Sequence, residues 1–403
     1  MGYRPDRKTI PIDEARAILA VHGEPVSRTE RVAVADASGR VLARALIADR
    51  DVPPFARAAM DGYAVRATDT SGASRDHGIE LRIVETVYSG MTPSRPIEAG
   101  ACAAIATGAP IPDGADAVVM IEYTRRDGDR VQIFEAVQPR LHIGSAGSDV
   151  VAGEIALAEE TVLTPARLAV ASALGVIGID VYVQPRVAIL STGDEIVAPG
   201  GRLRGGQIFD ANTTALAAAV TAHGGQPVVA PRTGDEREAL TRAFDACLQE
   251  DLVLFSGGSS VGERDFALEI LAARGTIHFE GLQLKPGKPT IFADVHGVPV
   301  FGLPGNPVSC LTNMYLFVGP MLCRMAHLPP PVQRVVTARL SDAVTSPAGR
   351  HQVYPVRLEG EEAVPVFKTS GEITSLARAD GFFEIPSEVD RVEAGAIVDV
   401  VLF

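Results

Sequence analysis

The spacing of apolar residues along the chain changes rhythm four times. Residues 11–22 place Ile12, Ala15, Ile18, Leu19 and His22 on one face of a helix, and Pro11, Asp13 and Glu14 suit its first turn. Residues 31–46, rich in Val and Ala around Ser38-Gly39, predict strand, turn, and strand or short helix. In DVPPFARAAMDGYAV the two prolines forbid helix and Asp61-Gly62 signals a turn. From there to Asp149, short segments such as LRIVETV, CAAIATGAP, DAVVMIEY and RVQIFEAV are broken by Gly, Pro and Asp, the pattern of a small β domain. Residues 163–176 are alanine-rich and helix-compatible, with Thr164 as N-cap and Pro165 in the first position.

After Pro185 strands and helices alternate. Strands are predicted at 187–191, 227–231, 252–255, 276–279, 290–293 and 299–303, and helices at 213–222, 236–248, 266–273 and 308–325. This alternation predicts a doubly wound, mostly parallel sheet with helices on both faces. Pro329-Pro330-Pro331 marks a boundary, and RVVTARL, QVYPVRL, AVPVFK and AIVDVVLF beyond it predict a small β barrel or sandwich. The expectation is an α/β multidomain protein. A mixed N-terminal domain takes residues 1–48 and 150–183, and a β-rich domain 49–149. The α/β domain takes 184–328 and a C-terminal β-barrel-like domain 329–403.

Composition narrows the function. A chain of 403 residues, 46% hydrophobic and 22% charged, is that of a folded multidomain protein. The net charge of −13 argues against duplex nucleic acid, so an anionic ligand needs local cations, backbone donors or a bridging metal. Cys102, Cys247, Cys310 and Cys323 are scattered and form no zinc or disulfide pattern. The N-terminal stretch lacks an apolar signal region, and residues 168–179 are too short to span a bilayer, which takes ~20 residues. A cytoplasmic location without membrane attachment is expected.

In an open α/β sheet, ligands sit beyond the carboxyl ends of the strands. Three glycine-bearing loops should meet there: Ser191-Thr192-Gly193-Asp194-Glu195, Ser256-Gly257-Gly258-Ser259-Ser260, and Pro304-Gly305-Asn306-Pro307. Bare backbone N–H groups attract anions, and Asn306 with Pro307 suits a helix start. Taken singly, a Thr-Gly-Asp turn or a Pro-Gly-Asn-Pro helix entry is usually only structural. Their convergence points to a phosphate site with carboxylates, Glu263 and Asp265 following the second loop. Lys285-Pro286-Gly287-Lys288-Pro289 brackets two ammonium groups between prolines, which favours an anion between them.

Dinucleotide, Walker and zinc-protease signatures are absent. One rival motif matches: Gly258, Ser260 and Gly262 fit the nucleophile elbow of a serine hydrolase, with His278, His296, His327 and His351 downstream. That reading leaves the Lys285–Lys288 loop and the acidic Asp194-Glu195 turn unexplained.

The stretches PPFARAAMDGYAV, ATGAPIPDGADAVVMIE, ILSTGDEIVAPG, GQIFDANTTAL, FSGGSSVGERDF, LKPGKPTIF, GLPGNPVSC and TSGEITSLARADGFFEIP occur in order from about residue 10 to the end. Together they resemble the molybdopterin molybdenumtransferase family, bacterial counterparts of the gephyrin E domain. The resemblance implies a four-domain homodimer whose cleft is shared between subunits. The implied reaction is Mg²⁺-dependent insertion of molybdate into adenylylated molybdopterin, releasing AMP and molybdenum cofactor. Implied partners are a molybdopterin adenylyltransferase and molybdoenzyme chaperones. Molybdopterin adenylylation and a non-catalytic scaffold role are the alternatives within this resemblance.

Matched motif by motif, the implied catalytic residues are Asp61, Thr107, Asp149, Glu195, Asp265, Lys285 and Lys288. Implied substrate contacts are Ser191, Thr192, Gly193, Asp210, Asn212, Ser256, Gly257, Gly258, Ser260, Pro304, Gly305, Asn306, Pro307, Arg350 and Ser375. Asp194, Glu195, Asp210 and Asp265 are the implied Mg²⁺ ligands, hard oxygen donors as that ion requires. The sequence departs from the family at His142-Ile143-Gly144, where Asn-Ile-Arg is usual, at Ser148 where Glu is usual, and at Ala56-Arg57-Ala58-Ala59. The first departure removes a cation that could touch an oxyanion.

Overall fold

Runs of β-branched and apolar residues too short for helices build the centre of the computed structural model, which describes residues 8–234, 236–257 and 263–403, with 263–267 as backbone only. The chain separates into two units. One comprises residues 32–38 and 44–179; the other comprises 1–31, 39–43 and 180–403.

The smaller unit is built on a mixed six-stranded sheet. Its strand Gly62–Val65 lies between Ala101–Ile105 and Ala117–Met120, antiparallel to both. Gly62 opens that strand rather than closing a turn, and a side chain there would collide with the Val119 carbonyl. The glycine therefore serves close backbone approach, where the sequence pattern suggested a turn. The helix Pro165–Ala173 begins as expected, with the Thr164 hydroxyl accepting from the Arg167 N–H.

In the larger unit the alternation resolves into strands β1 (Arg186–Ser191), β2 (Gln226–Val229), β3 (Leu252–Ser256), β4 (Thr276–Phe279), β5 (Leu284–Lys285), β6 (Ile291–Val295) and β7 (Val298–Leu303). The helices are α1 (Asn212–Ala222), α2 (Arg237–Cys247), α3 (Glu263–Arg274) and α4 (Pro307–Asn313). Beyond α4 the helical path runs through a π turn, Met314–Val318, into a further helix, Gly319–Met325. The sheet order is β2-β1-β3-β7-β6-β4. Strands β2, β1, β3 and β7 are parallel; β6 runs antiparallel, because a short turn joins it to β7.

Alternate residues of the parallel strands face opposite helical layers. Val187, Ile189, Leu252, Leu254 and Phe301 pack with Leu216 and Val220 of α1 and with the helical run from Cys310 to Met325. Ala188, Leu190, Val253 and Val300 pack with Leu240 and Phe244 of α2 and Ile270 and Leu271 of α3. The expected N-terminal helix, Ile12–Ala20, inserts Ile12, Ala15 and Leu19 into the first of these cores.

The last domain closes on itself. Strands β8 (Val335–Leu340), β9 (His351–Glu359), β10 (Glu362–Pro365), β11 (Gly381–Ile385) and β12 (Ile397–Leu402) pair in a ring, β9-β10-β8-β12-β11-β9. Closure leaves no free edge in the ring, the usual solution for a small all-β domain. At one end of the barrel β5 of the α/β domain joins β9 in parallel, Leu284 opposite His351 and Lys285 opposite Gln352. Among the described residues no helix is long and apolar enough to cross a membrane.

Phe292 on β6 is fully buried, with ring centroids of Phe301 and Phe279 at 4.8 and 5.8 Å. Phe292→Ala is expected to cost about 3–5 kcal/mol, read as a lower urea midpoint for the α/β domain.

Candidate functional site

The three glycine loops leave the sheet side by side. Ser191, Ser256 and Leu303 are register partners at the ends of β1, β3 and β7, so Thr192, Gly257 and Pro304 begin neighbouring loops. The Thr192 N–H donates to the Ser256 carbonyl at 3.1 Å. Gly257, at φ +153°, lies so close to this strand end that an added Cβ would stand 2.5 Å from the Thr192 carbonyl oxygen. No larger residue fits, and the backbone is left bare at the mouth of the site. Gly258 and Ser260 lie outside the described residues, and so does the Asp265 side chain. The helix α3 starts at Glu263, so the Asp265 backbone belongs to its first turn rather than to the preceding loop as expected.

Asn212 joins the loops from below. Its Nδ2 donates to Ser256 Oγ at 2.9 Å and to the Gly305 carbonyl at 2.8 Å. Both amide protons are thus spent inside the protein, and the side chain positions the strand ends. Asp210 is also buried, and its carboxylate accepts from the N–H and hydroxyl of Thr213 at 3.0 and 2.7 Å, holding the start of α1. Asp194 and Glu195 are exposed. The Glu195 carboxylate folds back over Gly193, where an added Cβ would come within 2.6 Å of it. Among the described residues no group of three or more His, Cys, Asp or Glu side chains is arranged to hold a metal.

Beside these loops lies a cleft of about 560 Å³ between the α/β domain and the barrel. The Lys285-Pro286-Gly287-Lys288 turn forms one wall and Arg350 and Lys368 belong to the other; among the described residues no carboxylate lines it. The Lys285–Pro286 peptide is cis. Gly287 has φ +121°, and an added Cβ would stand 2.5 Å from Asn313 Nδ2. Its carbonyl accepts from the buried Thr290 hydroxyl at 2.8 Å. The turn is therefore fixed from beneath, and β5–β9 pairing sets Lys285 beside the strand that follows Arg350. Among the described residues Lys285, Lys288 and Arg350 have no carboxylate within ion-pair distance. An anion is what completes such a set.

Asn306 occupies the N-cap position of α4, with Pro307 in the first turn, yet its side chain makes no cap bond. Its Nδ2 donates instead to Ser370 Oγ at 2.8 Å, and the Ser370 carbonyl accepts from the Val308 N–H at 3.2 Å. The barrel thus caps this helix, and one of the two amide protons of Asn306 is spent on Ser370. Ser375 is buried beneath the segment, its Oγ accepting from the Lys368 N–H at 3.3 Å. The serine lining the cleft is Ser370. Sequence reasoning missed Ser370 and Lys368, although Lys368 stands two residues before a Ser-Gly pair in a loop.

In the smaller unit Asp61 and Thr107 do meet. The Asp61 carboxylate accepts from the Thr107 N–H at 2.7 Å and hydroxyl at 3.0 Å. These bonds, the backbone one first, hold the Asp61 carboxyl below its usual range. Asp149 is exposed, and its N–H donates to the Val52 carbonyl at 3.0 Å. Gly144 pairs across a two-residue ladder with Arg57, whose Nε lies 3.9 Å from where a Gly144 Cβ would be. The Arg57 side chain thus lies alongside the position where the sequence lacks an arginine.

Two outcomes follow from this geometry. Asn212→Ala leaves Ser256 Oγ and the Gly305 carbonyl without this donor and is expected to cost about 1–3 kcal/mol in denaturant unfolding. Because the folded Asp61 pKa is depressed, its stabilising share is present above the ordinary carboxylate pKa and is lost as pH falls through the folded value. Thr107→Val removes only the hydroxyl, so an NMR titration should show the Asp61 pKa moving up toward, but not reaching, the ordinary value.

Comparison with known proteins agrees along the whole chain. Residues 10–175 match the MoeA N-terminal region (domains I and II), 188–324 a probable molybdopterin binding domain, and 337–403 the MoeA C-terminal region (domain IV). Molybdopterin molybdenumtransferase 2 of Mycobacterium tuberculosis is 35% identical over 92% of this chain and 94% of its own. Molybdopterin molybdenumtransferase of Haemophilus influenzae is 31% identical over 97% and 98%. A crystal structure of the molybdopterin biosynthesis moeA protein from Pyrococcus horikoshii superposes with a TM-score of 0.81 at 32% identity, covering 98% of this chain and 100% of that one.

Proposed function

The chain belongs to the molybdopterin molybdenumtransferase family, and from that premise we propose that it inserts molybdate into adenylylated molybdopterin, releasing AMP and molybdenum cofactor. The observation that carries this reading is the cation-lined cleft opening beside the glycine loops. Molybdate is a tetrahedral dianion, and Lys285, Lys288 and Arg350 would hold it by charge-assisted hydrogen bonds. The bare backbone at Gly257 would take the phosphates of the second substrate.

When the phosphoanhydride bond breaks, charge develops on the leaving phosphate oxygen. Ammonium groups held on the fixed Lys285–Lys288 turn stabilise that charge without reorganising. Asp265, at the first turn of α3, would orient the reacting phosphate and its nucleophile. The donor set suits Mg²⁺ in its usual mode, one or two carboxylates with substrate phosphates and water completing the shell. Asp194 and Glu195, after β1, are exposed hard donors for it, and Asp265 follows β3, the neighbour of β1 in the sheet; Asp210 already accepts two bonds from Thr213. Bound Mg²⁺ would neutralise phosphate charge. Asp61, Thr107 and Asp149 would complete the cleft in a homodimer that shares it between subunits. An adenylyltransferase would supply the substrate, and molybdoenzyme chaperones would take the product.

Purified protein given adenylylated molybdopterin should release AMP only with both molybdate and Mg²⁺ present. Lys285→Ala should slow that release by about 10²-fold, the loss typical of a removed charge-stabilising donor. Absence of AMP release from the unaltered protein with both present would sink the proposal.

A further inference from the structure

Among the described residues four cations line the cleft, and they differ in depth. Lys285, Lys288 and Arg350 are half-buried, whereas the Lys368 side chain is 57% exposed. The Lys368 backbone is nonetheless fixed. Ser375 Oγ accepts its N–H, and two residues on Ser370 is tied to Asn306 and to the Val308 amide. A rigid base therefore carries a long, solvated cation at the rim. Among the described residues its ion-pair partner is Glu372, 4.0 Å away and itself 46% exposed, a contact loose enough to exchange.

Such a rim cation has a task in this protein. With a net charge of −13, the molecule as a whole repels an oxyanion, and attraction must come from charges near the entrance. We propose that Lys368 is the capture residue of the cleft, drawing the oxyanion in toward Lys285, Lys288 and Arg350, with the Glu372 carboxylate moderating its pull. The proposal rests on the cleft being the molybdate site. It adds a residue that the family resemblance did not point to, and it separates two kinds of cation by their response to salt. A solvated rim charge acts through water and is screened; the half-buried set is screened much less.

Isothermal titration of molybdate into the full chain tests this at about 0.01 M and about 1 M salt, between which the Debye length falls from about 30 Å to about 3 Å. Lys368→Ala should weaken binding by about fivefold at low salt, the scale of an exposed ion pair, and the difference should vanish at high salt. Lys368→Arg should keep the affinity, and Glu372→Gln should tighten binding at low salt only. Lys285→Ala should lose binding at both. Should Lys368→Ala match the unaltered protein at low salt, or lose affinity equally at both, Lys368 is not a capture residue. Should the unaltered protein itself take up no molybdate, the reading of the cleft falls instead.

Discussion

One buried amide holds the site together. Asn212 donates both Nδ2 protons, to the hydroxyl at the end of β3 and to the backbone beyond β7, from the first residue of the helix that follows β1. The parallel register aligns Ser191, Ser256 and Leu303, but register alone does not fix loops that leave a sheet edge. A buried side chain that satisfies two neighbouring strand ends does. The glycine at 257 then follows, because the gap left beside Thr192 admits no Cβ.

Charge too depends on backbone held from beneath. The Lys285–Lys288 turn is held by the buried Thr290 hydroxyl and by the packing of Gly287 on Asn313, so its two ammonium groups are presented from a rigid base. Strand β5 links that base to the barrel through β9, and Ser370 links the barrel back to α4. The cleft is therefore a product of two domains locked at two points. Among the described residues the lining includes four cations and no carboxylate, so an otherwise acidic protein is locally positive there. In the smaller unit Arg57 likewise lies alongside Gly144 from the facing strand.

Much of this was legible in the residues. The helix of residues 12–20, the strands around 187–191, 252–255 and 299–303, and the convergence of their loops all follow from periodicities that depend only on local geometry. The Lys-Pro-Gly-Lys-Pro turn was legible for the same reason, since proline and glycine restrict the backbone wherever they stand. Other features were not. Asn306 looked like a helix cap and is instead a tether to Ser370, sixty-four residues later in the chain. Ser375 looked like the ligand serine and lies beneath Lys368, with Ser370 at the cleft.

The sequence by itself determined which segments are strands, which loops must be glycine-bearing, and to which family the chain belongs. Those properties are local, or they are carried by motifs read in order. Only the tertiary structure decided which polar side chains are spent on the protein and which remain for a ligand. Asn212, Asp210 and Asn306 have the chemistry of ligand contacts, but their hydrogen-bond capacity is drawn on by neighbours that arrive through long-range packing. A side chain's donors and acceptors are finite, and what competes for them is set by the fold rather than by the residues adjacent in sequence.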